Sequence, residues 1–196
     1  MPSMPPITQA LLLINVAAFC IDIFVGPWFT RLLALWPIGF GFAPWQLVTY
    51  AFLHGSITHL GFNMLGLWMF GSEIERIWGP KRYLQFYFAS LLSAALVQLA
   101  FAAMSGGAYP TVGASGALFG LLLAFGMMFP NRTIMPLFPP IPMKAKYFVA
   151  LFGGLELIFG VTGTQQGVAH FAHLGGMLGG FLLIQYWRGR PPFGKR

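Results

Sequence analysis

The sequence predicts an all-α fold, a polytopic membrane protein built as one domain of six transmembrane helices. Three observations carry that prediction. The 196 residues are 57% hydrophobic and 8% charged, whereas a soluble domain carries roughly 25% charged residues. The apolar residues fall in long runs separated by Pro, Gly and charged clusters, as spans separated by loops do. Lysine and arginine are concentrated on alternate loops, the signature of a fixed membrane topology. The same distribution accounts for the net charge of +7 without a nucleic-acid partner. The partner that composition implies is the lipid bilayer.

Residues 7–26 form an apolar run of span length, interrupted by Asn15 and Asp22, which are expected to face other helices rather than lipid. Cys20 is the single cysteine, so an intrachain disulfide and a cysteine-based zinc site are excluded. Its apolar setting predicts a buried, inert thiol. The first six residues have no basic n-region, so no cleaved signal peptide is expected. Residues 27–44 are rich in Pro, Gly, Trp and Phe and too broken to span. They predict an interfacial loop, with Trp28, Trp36 and Trp45 at headgroup level. The remaining spans are expected at 54–72, 83–104, 115–129, 147–161 and 167–187, with a Pro-rich connection at 136–142 and a basic tail at 188–196.

Arg76, Lys81, Arg82, Arg132, Lys144, Lys146, Arg188, Arg190, Lys195 and Arg196 follow spans 2, 4 and 6; the other loops hold only Arg31. The positive-inside rule then puts both termini in the cytoplasm, and a bacterial-type plasma membrane is the expected setting. Spans 2, 4 and 6 run inward in parallel, and the loop before Ser115 lies on the outer side.

Span 4 has only 15 residues, about 22 Å of helix against a hydrocarbon core of about 30 Å. It must begin inside the bilayer, with the glycine-rich loop before it at membrane depth. Irregular backbone is tolerated there only where protein buries it or where it lines a water-filled cavity. Ser115 is therefore expected at the floor of a wet cavity. Span 2 adds His59 and Asn63, at i and i+4 on one face. Span 6 adds His170 and His173. A serine needs a base to become a nucleophile, commonly histidine. Donors for a developing oxyanion are at hand in Asn63, His59 and the Ser115 N–H. No aspartate other than the distant Asp22 is available to orient a histidine, so a two-residue Ser–His dyad is expected. The competing reading is hydrogen-bonded interhelical glue; polar groups converging on three parallel spans favour catalysis. Gly116 with Gly120, and Gly176 with Gly180, form small-xxx-small pairs that would let spans 4 and 6 approach closely.

Three motifs, His54-x4-His59-x3-Asn63, Gly113-x-Ser115-Gly116 and Ala172-His173-x2-Gly176-x3-Gly180, occur in order. Over residues 45–180 the chain resembles the rhomboid family of intramembrane serine proteases. Glu75-Arg76 before Gly79 is similar to that family's acidic-basic end of the second span. The resemblance implies a rhomboid-like six-helix bundle that cleaves transmembrane protein substrates near the outer face, with no cofactor and no metal. It implies Ser115 as nucleophile and His173 as base, with His59 and Asn63 lining the oxyanion pocket. His54 is similar to a structural histidine of the family near the outer loop, and Gly113, Gly116, Gly120, Gly176 and Gly180 are, like it, structural-support positions. The chain departs from the family at Trp45-Gln46, where many members carry Trp-Arg; this leaves open how the first outer loop is anchored and does not touch the dyad.

Two observations favour His173 over His170 as the base. Counted from the cytoplasmic edge, Ser115 stands about 21 Å up, His173 about 22 Å and His170 about 27 Å. At about 100° per residue, Gly176 and Gly180 lie roughly 60° and 20° from His173, but roughly 120° and 80° from His170. Glu156, about 14 Å into span 5, is expected to be a protonated or hydrogen-bonded structural group, and Gln165 and Gln166 to be solvated. Of the competing functions, a catalytically silent rhomboid-like client-binding protein would not need its Ser, His and Asn positions complete. A metalloenzyme built on His54, His59, His170 and His173 lacks a carboxylate at sensible depth and has weak ligand spacing. A transporter would show paired broken helices in two related halves.

Overall fold

The computed structural model describes residues 3–137, 139–164 and 167–189. Gln165, Gln166 and the tail cations Arg190, Lys195 and Arg196 lie outside the described residues.

The chain is mostly helical. Helix α1 (Pro6–Val25) starts on a proline, whose missing N–H costs nothing in the first turn, and ends at Gly26 (φ 77°). Its first amides are satisfied from elsewhere in the chain. The Glu75 carboxylate accepts from the N–H groups of Ile7 (2.9 Å) and Thr8 (2.7 Å) and from the Thr8 hydroxyl (2.8 Å), while Arg76 donates to the Ser3 carbonyl at 3.2 Å. An anion at a helix N-terminus meets both the free N–H groups and the positive end of the dipole. The acidic-basic pair thus clamps the start of α1.

Asn15 is buried, as expected, and donates to the Leu11 carbonyl. Cys20 is not buried; it lies exposed on α1 with Ile21, Ile23 and Phe24. A helix that packs on one side leaves its other apolar face outward, and the cysteine falls there. Residues 27–44 are more ordered than a loop, because α2 (Pro27–Leu33) forms within them. The Thr30 hydroxyl donates to Asp22 at 2.9 Å, so Asp22 meets α2 rather than another span.

A short helix α3 (Gln46–Thr49) passes into a 3₁₀ turn, Tyr50–Phe52. Helix α4 (Ile57–Gly66) is capped by Ser56, whose hydroxyl accepts from the His59 N–H at 3.1 Å. It continues through a π turn (Leu67–Gly71) into α5 (Ser72–Ser105), which breaks at Gly79 (φ 74°, ψ 166°) just before Pro80. Expected spans 2 and 3 lie on either side of that break. Helix α6 (Ser115–Met128) has 14 residues, short as expected. A two-stranded antiparallel ribbon, β1 (Thr133–Ile134) with β2 (Met143–Lys144), leads to α7 (Ala145–Thr162). The last helix, α8 (His170–Trp187), starts three residues later than expected; Gly167 at φ 91° keeps the preceding turn out of the helix.

Among the described residues, three helical segments are long and apolar enough to cross a membrane: Pro6–Val25, Ile57–Ser105 and Ala145–Thr162. Helix α8 packs between α5 and α6 on a face of glycines. A Cβ built at Gly176 would stand 1.8 Å from the Gly116 carbonyl oxygen, and one at Gly120 would stand 3.0 Å from the Gly176 carbonyl oxygen. Helices α6 and α8 therefore touch backbone to backbone at the level of Ser115. Gly180 does not share this contact as expected; it faces Phe86 of α5, as Gly175 and Gly179 face Val97 and Ser93. One glycine stripe thus serves two helix contacts.

Candidate active site

Ser115 is the first residue of α6, where the first-turn N–H groups have no intrahelical acceptor. The loop before it is strapped down. Gly113 donates its N–H to the Tyr50 carbonyl at 3.0 Å, and the Tyr50 hydroxyl donates to the Leu91 carbonyl at 2.9 Å. Leu35 and Thr111 exchange two backbone bonds, of 3.0 and 2.9 Å, tying the first outer loop to this one. Gly113 has φ 124°, a conformation that L side chains rarely adopt. A Cβ there would also lie 2.7 Å from His59 and 3.5 Å from Asn63 Nδ2. Only glycine lets the serine loop rest directly on these two side chains.

The Ser115 hydroxyl oxygen is 2.7 Å from His173 Nε2. Phe119, one turn below Ser115, stacks on the imidazole with ring centres 4.4 Å apart and planes 7° from parallel. Sequence reasoning missed this contact; its signal was the i+4 spacing from Ser115. Ser115, Phe119, His173, His59 and Asn63 line one cavity of about 560 Å³. Asn63 Nδ2 is buried without a hydrogen-bond partner among the described residues, a free donor beside that cavity. His54 is buried and meets His59 edge-on, with ring centres 5.0 Å apart. His170 does not line this cavity; it borders an adjoining one of about 540 Å³ with Gln98, Phe101 and Phe159.

The expectation that no carboxylate reaches the histidines is overturned. Glu156 of α7 places Oε2 2.6 Å from His170 Nδ1, in a hydrogen bond, and 2.9 Å from His173 Nδ1. The second contact makes no in-line hydrogen bond. The carboxylate missing from the metal-site reading is therefore present, and the three potential ligand atoms lie within 4.8 Å of one another. Zinc ligands in a tetrahedron with bonds of about 2.0–2.1 Å stand about 3.3 Å apart. The 2.6 and 2.9 Å spacings on one shared oxygen are shorter than that; the first is a hydrogen bond and the second a close charge contact.

Gln46 fills the place of the family arginine. It is 2% exposed. Its Oε1 accepts from the N–H groups of Trp36 and Ala43, both at 3.2 Å, and its Nε2 donates to the carbonyls of Leu32 (3.3 Å) and Gly41 (3.2 Å). A neutral amide, with two donors and an acceptor, anchors the first outer loop without a charge.

The Rhomboid domain profile matches residues 42–190. The chain is 33% identical over 143 residues to "Rhomboid protease GluP" of Bacillus subtilis, covering 70% of this chain and 25% of that protein. It is 33% identical over 144 residues to "Rhomboid protein 1, mitochondrial" of Saccharomyces cerevisiae, covering 72% and 41%. A "Putative rhomboid protease YdcA" of Bacillus subtilis is 31% identical over 141 residues, covering 71% and 65%. The chain thus spans between a quarter and two fifths of the length of the first two relatives. The matched region contains the serine loop, the two-histidine stretch of α8 and the His-Asn face of α4, and on these grounds the chain belongs to the rhomboid family, as an integral membrane protein.

Proposed function

We propose that this protein is an intramembrane serine endopeptidase that cleaves transmembrane protein substrates near the outer face of the membrane. In this reading it has six spans and both termini in the cytoplasm, in a bacterial-type plasma membrane. The observation that carries it is the 2.7 Å approach of the Ser115 hydroxyl to His173 Nε2, beside a cavity that also receives Asn63 and His59.

The chemistry follows from these positions. As Ser115 Oγ attacks the scissile carbonyl, its proton passes to His173 Nε2. The carbonyl oxygen becomes an oxyanion, with Asn63 Nδ2, His59 and the Ser115 N–H as donors. The His173 imidazolium then protonates the leaving amine. Water entering the cavity hydrolyses the acyl-serine by the same route, and the proton returns to Ser115. A substrate helix satisfies its own carbonyls, so it must unwind before one can reach Ser115. Gly or Pro near the cut lowers that cost.

The test is cleavage of a generic transmembrane substrate by the purified protein in detergent. Ser115→Ala should abolish product formation while leaving the melting profile and elution volume unchanged. A folded Ser115→Ala protein that still cleaves at more than a trace rate contradicts the proposal.

A further inference from the structure

We propose that Glu156 is a positioning residue of this site, holding His173 in the tautomer that can act as a base. The inference rests on the assignment of Ser115 and His173 above. A neutral imidazole has one N–H and one lone pair. His173 has Ser115 Oγ at 2.7 Å from Nε2 and Glu156 Oε2 at 2.9 Å from Nδ1. An ionised carboxylate only accepts. Were the proton on Nε2, the Nδ1 lone pair would face a carboxylate oxygen at 2.9 Å, and Nε2 would donate to a serine whose proton it is meant to remove. With the proton on Nδ1, the charge of Glu156 attracts that N–H and the Nε2 lone pair faces Ser115. The carboxylate selects the working tautomer.

Glu156 is itself held in place. Its side chain is 13% exposed, and a carboxylate so buried needs donors. His170 Nδ1 supplies one at 2.6 Å, on the oxygen that also faces His173. This gives His170, which lies outside the cavity of Ser115, a role that its neighbourhood does not otherwise supply. Phe119 stacks on the face of the His173 ring and so sets its plane, while Glu156 sets which edge carries the proton. When His173 takes the Ser115 proton, the resulting imidazolium has an anion 2.9 Å from Nδ1. Glu156 keeps its charge throughout and accepts no proton. The three participants come from three helices, α6, α8 and α7.

A Glu156 that only braced His170 would affect folding, but neither the His173 tautomer nor kcat in isolation. The experiment therefore reads both. Protein with ring-¹⁵N histidine is examined by NMR in detergent micelles at neutral pH, with the His173 signals assigned by their loss in His173→Ala. Wild type should show Nδ1 protonated and Nε2 unprotonated. In Glu156→Gln the Nε2–H form should appear, because the amide can donate to Nδ1. On a transmembrane substrate this variant should lose kcat by about 10²-fold or more, with KM within about twofold, and Glu156→Asp should recover part of the loss. A wild-type His173 protonated at Nε2, or a folded Glu156→Gln protein within threefold of wild-type kcat, overturns the proposal. If Glu156→Gln does not fold, the wild-type spectrum alone decides. That spectrum does not depend on turnover, so failure of the protease reading would be seen separately, as absent cleavage by wild type.

Discussion

Asn63 carries a buried amide nitrogen with no hydrogen-bond partner among the described residues, beside the cavity that Ser115 lines. A buried donor left unmade costs about 1–3 kcal/mol, and an oxyanion would satisfy it only during reaction. Asn63→Ala should lower kcat by about 10²-fold or more with KM little changed, measured by steady-state kinetics on a transmembrane substrate. Turnover near that of wild type would remove Asn63 from the site. Most of these residues were legible in the sequence because polar side chains are expensive at membrane depth. His59, Asn63, Ser115 and His173 stand out on that ground, and the structure brings all four to one cavity. Glu156 also stood out, yet its partners did not. Its depth could be counted along α7, but the rotation of α7 about its own axis relative to α8 could not. That rotation decides whether its carboxylate meets His170 and His173 or faces elsewhere.

At the level of elements, the site depends on how closely α6 and α8 approach. Gly176 allows the closest contact, since any Cβ there would collide with the Gly116 carbonyl oxygen at 1.8 Å. Gly176→Ala should push α8 away from α6. The cost is about 1–3 kcal/mol or more for overpacking, and the distance from Ser115 Oγ to His173 Nε2 should grow beyond hydrogen-bond range. A lowered melting temperature together with lost cleavage is the expected result; an active variant of unchanged stability would mean that this contact does not set the site. The glycine spacing showed that α8 has a close-packing face. It did not show that the face is shared, because Gly175, Gly179 and Gly180 turn toward α5. Long apolar runs made α1, α6, α7 and the part of α5 after its break at Gly79 legible to within a few residues. Helix α2 and the π turn at Leu67–Gly71 were not, since each is set by tertiary contacts, such as the bond from Thr30 to Asp22. Gln46 shows the same limit. Against the family pattern it looked like a lost anchor, but a buried amide satisfied on both its oxygen and its nitrogen does the anchoring.

For the whole molecule, the apolar residues divide between two surfaces. Tyr50, Tyr83, Phe86, Tyr87 and Leu121 fill the interior, while Leu13, Phe24, Phe62, Leu96 and Val161 point outward, as they should where the surrounding solvent is lipid. The cavity of Ser115 is set inside that shell, and cleavage requires its serine to be a nucleophile. The most direct test is labelling with a fluorophosphonate, followed by intact-mass and peptide mass spectrometry of the detergent-purified protein. Wild type should gain a single adduct, on Ser115. His173→Ala should label at only a trace rate, and His170→Ala should label at least partly, because its ring lies outside the cavity. An adduct on another residue, or Ser115 labelled as fast in folded His173→Ala as in wild type, would contradict the account.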